Sequence, residues 1–232
     1  MKRRDATSEA KLRGELLAAA ERLLSDGGAE ALQARKLAAA VGASTMAVYT
    51  HFGGIPQLVD ALVRAGFVRL GRQLTASPES SDALADLFRL GLAYRRFALD
   101  NAALYRVMFG VSVPPGHSPN VSDLTTEGTP TGLAEAQEAF GHLIRAVGRV
   151  MAAGRGMSAE PVRLAAQMWS SVHGYVLLEL GGYFGKDGQG AETILVPLWI
   201  DLAVGGGETR AAATRAARSA TRSSKARESV QP

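Results

Sequence analysis

Cysteine is absent from this 232-residue chain, and with it go disulfides, thiolate nucleophiles and every Cys-ligated zinc or iron–sulfur site. Four histidines leave few imidazole ligands for any other metal. Long apolar runs are missing as well. No stretch reaches the roughly eighteen apolar residues that mark a membrane span. The basic Met1-Lys2-Arg3-Arg4 leads into the polar Ala6-Thr7-Ser8-Glu9 rather than an apolar segment, so no signal peptide is expected. A soluble, cytoplasmic protein is the expectation. Alternating β-branched residues are also lacking, which argues against half-buried strands. What is present is ordinary for a globular protein: 47% hydrophobic and 21% charged residues, on a length that buries a core without staples.

Charge is spread unevenly along the chain. Residues 1–72 carry 11 Lys/Arg against 7 Asp/Glu, residues 73–207 carry 9 against 13, and residues 208–232 carry 6 against 2, for net charges of +4, −4 and +4. A basic first third joined to an acidic middle points to different partners, with a polyanion the natural one for the first.

Apolar residues recur at helical spacing nearly throughout, so the fold class is all-α. Leu12, Leu16, Ala20, Leu23 and Leu24 predict a first helix, closed at Gly27-Gly28. Two short helices follow over 35–41 and 44–52, separated by Gly42, with Ser44 placed to cap the second. Pro56 opens a fourth helix that runs to about residue 74. Beyond a turn at 76–81, helices are predicted through Leu84 to Leu99, over 101–109, through Phe140 to Met151, and over 158–180 and 191–204. The segment 110–132 is rich in Pro, Gly, Ser and Thr and reads as a mobile lid or a disordered loop. Residues 208–232 repeat Ala, Arg, Thr and Ser without a hydrophobic stripe and are expected to be disordered.

The informative stretch is residues 32–58, L-Q-A-R-K-L-A-A-A-V-G-A-S-T-M-A-V-Y-T-H-F-G-G-I-P-Q-L. Two short helices joined by a tight glycine turn form a helix-turn-helix, in which small Ala38 and Ala39 let the helices approach and Leu37, Val41 and Val48 bury their contact. In DNA readers of this geometry the second helix enters the major groove by its N-terminal residues, while hydroxyls grip phosphates on either side. Val41-Gly42-Ala43-Ser44 followed by Tyr49-Thr50-His51-Phe52, behind a long first helix, resembles the DNA-binding domain of the TetR/AcrR family of transcriptional regulators.

The resemblance implies that Ser44, Thr45, Met46, Ala47 and Thr50 face DNA, with Thr45 and Met46 meeting base edges. Tyr49 and His51 match a phosphate-binding pair, and Phe52 matches the aromatic that locks the recognition helix to the first and fourth helices. Arg35 and Lys36 are placed for flanking phosphates, and Arg3 and Arg4, ahead of the first helix, for an adjacent minor groove. Ile55 departs from the pattern, since many members carry a phosphate-binding Lys there. The recognition helix is also poor in Arg, Asn and Gln, which shifts specificity toward thymine methyls and DNA shape.

Over the remaining chain the helix count, the size and the Trp169…His173-Gly174 pair resemble a subgroup with a Trp…His-Gly helix in its C-terminal domain. Aromatics and Met with polar tips line small-molecule pockets, and the candidates are Tyr94, Phe97, Tyr105, Met108, Phe109, Phe140, Met168, Trp169, Val172 and His173. The resemblance implies an apolar or amphipathic effector bound there. It also implies a homodimer paired through the last two long helices of this domain, for which Val172, Val176, Ile194, Leu198, Trp199 and Leu202 are suited. Two-fold symmetry would place two recognition helices on successive major grooves of a palindromic operator. Repression is the family's common mode. The expected organisation is a basic arm (1–9), the helix-turn-helix domain (10–55), a connecting helix (56–75), a ligand-binding and dimerisation domain (76–207, with the loop 110–132) and the tail (208–232).

Two other classes compete. Glu135, Glu138 and His142, the last two at i,i+4, could hold a metal for catalysis. The paired Glu-x-x-His of a di-iron bundle, a nucleophile elbow, a phosphate loop and HExxH are all missing, however, so no enzyme, metal or cofactor is expected. A helical ligand-binding or scaffold protein without sequence-specific DNA binding is the second, supported only by Ile55 and the polar-poor recognition helix.

Overall fold

The computed structural model describes residues 2–76, 78–114, 116–154, 160–185 and 187–228, with the side chains of 2–6, 225, 227 and 228 outside that description. Among the described residues every regular element is helical: α1 (Lys2–Gly27), α2 (Ala34–Ala40), α3 (Thr45–Phe52), α4 (Ile55–Thr75), α5 (Ala83–Asp100), α6 (Ala102–Met108), α7 (Leu124–Glu127), α8 (Ala134–Ala152), α9 (Pro161–Leu180), α10 (Val196–Gly205) and α11 (Arg210–Glu228). They form two compact units, Met1–Arg69 with Asn101–Val121 and Leu70–Asp100 with Ser122–Pro232.

In the first unit, α1 buries Leu16, Ala19, Ala20 and Leu24, one stripe at three- and four-residue spacing. It closes at Gly28, whose N–H donates to the Leu24 carbonyl at 2.9 Å. The helix begins at Lys2, so the backbone of the expected arm is helical; the Arg3 and Arg4 side chains lie outside the described residues. Gly42 makes the turn between α2 and α3 at φ 66°, a left-handed conformation that costs other residues strain. Leu37, Ala38 and Val48 are buried across that junction, whereas Val41 is half-buried and Ala39 faces solvent, so Ala38 alone provides the close approach. Leu58, Val59, Leu62, Val63 and Phe67 of α4 complete the core.

Helix α6 belongs to this unit. A Cβ at Gly66 would sit 2.6 Å from the Met108 sulfur, so α6 approaches α4 where a side chain is missing. Arg69 donates to Glu21 at 2.6 Å and to Asn101 at 3.0 Å, tying α4 to α1 and to the residue that precedes α6. The segment 110–132 has more structure than its composition suggested. Pro114 is buried, and the buried His117 ring lies 3.5 Å from the Asp60 carboxylate. In the second unit Asp123 caps the single-turn α7 through the Thr125 N–H at 2.9 Å, and the Thr131 hydroxyl accepts from the Leu133 N–H at 3.1 Å.

Helix α5 is the centre of the second unit, burying Leu84, Leu87, Phe88, Leu92, Phe97 and Ala98. Helices α8, α9 and α11 pack on it. Before α10 the chain widens into a π turn, Ala191–Leu195, where the sequence predicted an unbroken helix. Pro197 supplies the reason: it has no N–H for a carbonyl four residues back, and its ring crowds that carbonyl.

The tail is the main correction. Residues 210–228 form α11 instead of disorder, with Ala213, Ala216, Ala217 and Ala220 buried. The seam is a stripe of methyl groups, invisible to a search for large apolar residues. Small side chains allow close helix contact, and alanine loses no side-chain entropy in a helix. The helix is anchored at its start, where the Thr209 hydroxyl accepts from the Ala212 N–H at 3.3 Å and Arg210 pairs with Asp201 at 2.9 Å.

Candidate DNA-binding surface and effector site

Burial of Val48 decides which face of α3 is free. Away from it, Met46 is 65% and Tyr49 52% exposed, and Ser44, Thr45 and Thr50 are exposed beside them; Ala47 and His51 are half-buried. Ser44 occupies the N-cap position with extended backbone, but its side chain makes no capping hydrogen bond, contrary to expectation. Its hydroxyl is therefore available to an outside acceptor. Arg35 and Lys36 are exposed in the first turn of α2. Phe52 is half-buried, with the Arg13 guanidinium of α1 4.8 Å from its ring centre, a cation–π contact that holds the end of α3. Large apolar side chains standing in water among hydroxyls and cations suit a surface that meets a binding partner.

The effector candidates divide between the two units. Tyr94, Phe140, Trp169 and His173 come together in the second. The Trp169 indole N–H donates to the Tyr94 hydroxyl at 3.2 Å, and that hydroxyl lies 3.1 Å from His173 Nδ1. Phe140 meets Trp169 edge-on at 5.8 Å between ring centres, and Trp169 is 5.6 Å from His173. Burial pushes the His173 pKa down, so the neutral ring is favoured. Met168 and Val172 are buried on the same helix, and Phe97 is wholly buried in the core. Tyr105, Met108 and Phe109 belong instead to the first unit, where Phe109 packs on Phe67 at 5.5 Å and on Tyr105 at 4.8 Å. Of the ten candidates, seven thus belong to the second unit and three to the first.

Polar contacts that the sequence did not reveal brace α9. Arg95 of α5 grips Glu179 with two hydrogen bonds, at 2.7 and 2.6 Å, and the Tyr175 hydroxyl donates to the same carboxylate at 3.3 Å. Burial and the Glu179 charge push the Tyr175 phenol up to about 12.

The dimer candidates divide as well. Trp199 is 1% exposed: it stacks on Phe88 at 5.9 Å and donates to Ser171 at 3.1 Å. A Cβ at Gly91 would meet its ring at 2.5 Å, so glycine makes room for it. Val176 is also wholly buried, and Val172 nearly so. These three residues are core of their own protomer. Ile194 and Leu198 are 42% and 40% exposed, and Leu202 is half-buried. Leu178 and Tyr183 are exposed as well, and neither stands out from its neighbours in the sequence.

Residues 16–62 match the family model of bacterial regulatory proteins, tetR family, and residues 87–196 match that of the tetracyclin repressor-like C-terminal domain. The chain belongs to the TetR family. It is a DNA-binding transcriptional regulator, and TetR-family regulators are not enzymes, which sets aside the catalytic reading. A protein of unknown function from Rhodococcus sp. RHA1 is 29% identical, over 85% of this chain and 96% of its own, with a TM-score of 0.69. The TetR regulator TylP of Streptomyces fradiae shares the fold at 20% identity, over 91% of this chain and 95% of its own, with a TM-score of 0.58. RolR in complex with resorcinol does so at 14% identity, over 91% and 95%, with a TM-score of 0.58. The chain matches no curated protein. Among the described residues no helix is long and apolar enough to cross a membrane, and no group of three or more His, Asp or Glu is arranged to hold a metal.

Proposed function

We propose that this TetR-family regulator is a cytoplasmic repressor that binds a palindromic operator as a homodimer and is released from it by a small apolar or amphipathic effector. The observation that carries the effector half is the chain from Trp169 through Tyr94 to His173. A hydroxyl, an indole N–H and a neutral imidazole set among aromatic faces suit a compact, partly apolar molecule with one or two polar groups. RolR, similar in fold, holds resorcinol, a molecule of that size and polarity.

DNA contact is assigned to Ser44, Thr45, Met46, Ala47 and Thr50 on the recognition helix, with Thr45 and Met46 at base edges, and to Tyr49, His51, Arg35 and Lys36 at phosphates. The exposed Ile194, Leu198 and Leu178, with Leu202, supply the apolar face for a second copy. Effector and operator then compete through protein conformation, each weakening the other by one factor, typically corresponding to about 1–3 kcal/mol. Helix α4 is the proposed lever, because the boundary between the units falls within it, at Arg69 and Leu70. Variants confined to residues 59–73 that bind effector yet never release DNA are the expected outcome; uncoupled variants found only elsewhere would count against the lever.

The decisive experiment selects operators from random duplex DNA and titrates the winner against salt. A single palindromic site whose affinity falls steeply with salt, and is lost in Tyr49→Phe with Thr45→Ala, supports a sequence-specific dimer. Weak binding with no enriched sequence would refute it.

A further inference from the structure

His142, whose i,i+4 spacing from Glu138 suggested a metal, lines a cleft of about 320 Å³ in the second unit, formed by the end of α4, the start of α5 and the middle of α8. Leu74, Leu90 and Ala146 form its apolar walls, and Arg89, Arg145 and Arg149 stand around them. The positive charges are not equally satisfied. Asp86 binds Arg89 and, at 2.8 Å, Arg149, while also accepting from the Ser80 N–H at 2.7 Å and hydroxyl at 2.6 Å. Arg149 donates in addition to the Ser80 carbonyl at 2.8 Å and lies 3.3 Å from Glu79.

Arg145 is different. It is exposed, its guanidinium donates to His142 Nδ1 at 2.6 Å, and among the described residues no carboxylate pairs with it. That bond occupies the imidazole lone pair a metal would need and leaves the ring proton on Nε2. Burial, then the Arg145 charge, depresses the His142 pKa against an opposing pull from Glu138, consistent with a neutral ring that cancels no charge. The local chemistry is therefore that of an anion site with an apolar wall.

We infer that this cleft binds a small carboxylate-bearing amphiphile, its carboxylate on Arg145 and its apolar body along Leu74, Leu90 and Ala146. The volume lies at the small end of ligand sites, which suits a single-ring or short-chain acid. None of the lining residues belongs to the Tyr94, Trp169 and His173 cluster, so this is a second site and does not rest on the assignment of the first.

Calorimetric titration of the full chain with benzoate, acetate and inorganic phosphate tests it. Benzoate is expected to bind, acetate about tenfold more weakly for want of an apolar body, and Arg145→Gln to weaken benzoate by about tenfold or more through loss of a charge-assisted bond. Arg145→Lys should retain most of the affinity, and both variants should melt with the parent because Arg145 is exposed. Three results would overturn the inference: no heat with benzoate, benzoate affinity unchanged in Arg145→Gln, or affinity lost in Trp169→Ala but not in Arg145→Gln. Phosphate binding in place of benzoate would equally overturn it, by showing an inorganic-anion site.

Discussion

The two units use polar and apolar side chains in opposite ways. Around its helix-turn-helix the first unit has an aliphatic interior of Leu16, Leu24, Leu37, Val48, Leu58 and Leu62, the aromatic Phe67 and Tyr105 lying further along α4 and in α6, and it holds Met46 and Tyr49 out in water. The second unit turns polar groups inward: Tyr94 toward Trp169 and His173, Arg95 onto Glu179, Trp199 onto Ser171. A long rigid polyanion is read by a fixed outer face, so the interior behind that face has only to be stiff. A small effector must be enclosed, and the interior itself then carries hydrogen-bonding groups that can exchange partners.

The largest expected effect comes from breaking the second interior. Trp199→Ala should lower its stability by about 3–5 kcal/mol, the usual cost of emptying a large aromatic site, seen as an earlier urea transition in Trp169 fluorescence. An unmoved transition would mean that the Phe88–Trp199 stack is not central. Next is the outer face of the first unit. Tyr49→Ala with Thr45→Ala should cost operator binding about a hundredfold, on the scale of two lost contacts, with no change in melting temperature. A fall in melting temperature would show that the exposed face also supports the core, and the contrast between the units would blur.

Deleting residues 208–232 is expected to be milder. Four buried methyl groups at about 0.8 kcal/mol each contribute about 3 kcal/mol, and the loss should fall on the second unit alone, as hydrogen exchange can resolve. Acidification should be gentlest. His173 is held below its ordinary value by burial, so the unfolded chain takes up its proton first as pH falls. Stability is then complete above the unfolded histidine range near 6.5 and declines as pH falls through it toward the lowered folded value. Urea midpoints should drop from about pH 7.5 to about pH 5.5, and His173→Asn should flatten only part of the slope, because His142 is depressed by burial too.

The helix-turn-helix was legible because its signals are local. Gly42, Ser44 and the apolar positions Leu37 and Val48 lie within a dozen residues, and each has one structural use. Ser44 was misread only in detail, as a hydroxyl committed to a cap. The second unit was legible in its helices and less so in its contacts. Whether Trp199 meets its own α5 or another chain depends on Gly91, more than a hundred residues away, and a missing side chain leaves no hydrophobic signal. The same holds for Tyr105, Met108 and Phe109, drawn to the first unit by the gap at Gly66. Segment 110–132 was judged by composition, which carries no record of His117 meeting Asp60.

The methyl seam of α11 has a consequence for alignment. Moving the helix by four residues would bring Ala217, Ala220, Thr221 and Ser224 to the places of Ala213, Ala216, Ala217 and Ala220, and every one of them is small. The seam therefore cannot distinguish one setting of α11 from the next, and the choice falls to Thr209 and Arg210 at its start. An insertion of one turn beyond residue 212 is expected to leave the helix seated with its far end displaced, whereas losing the Thr209 and Arg210 anchors would let one sequence occupy several alignments.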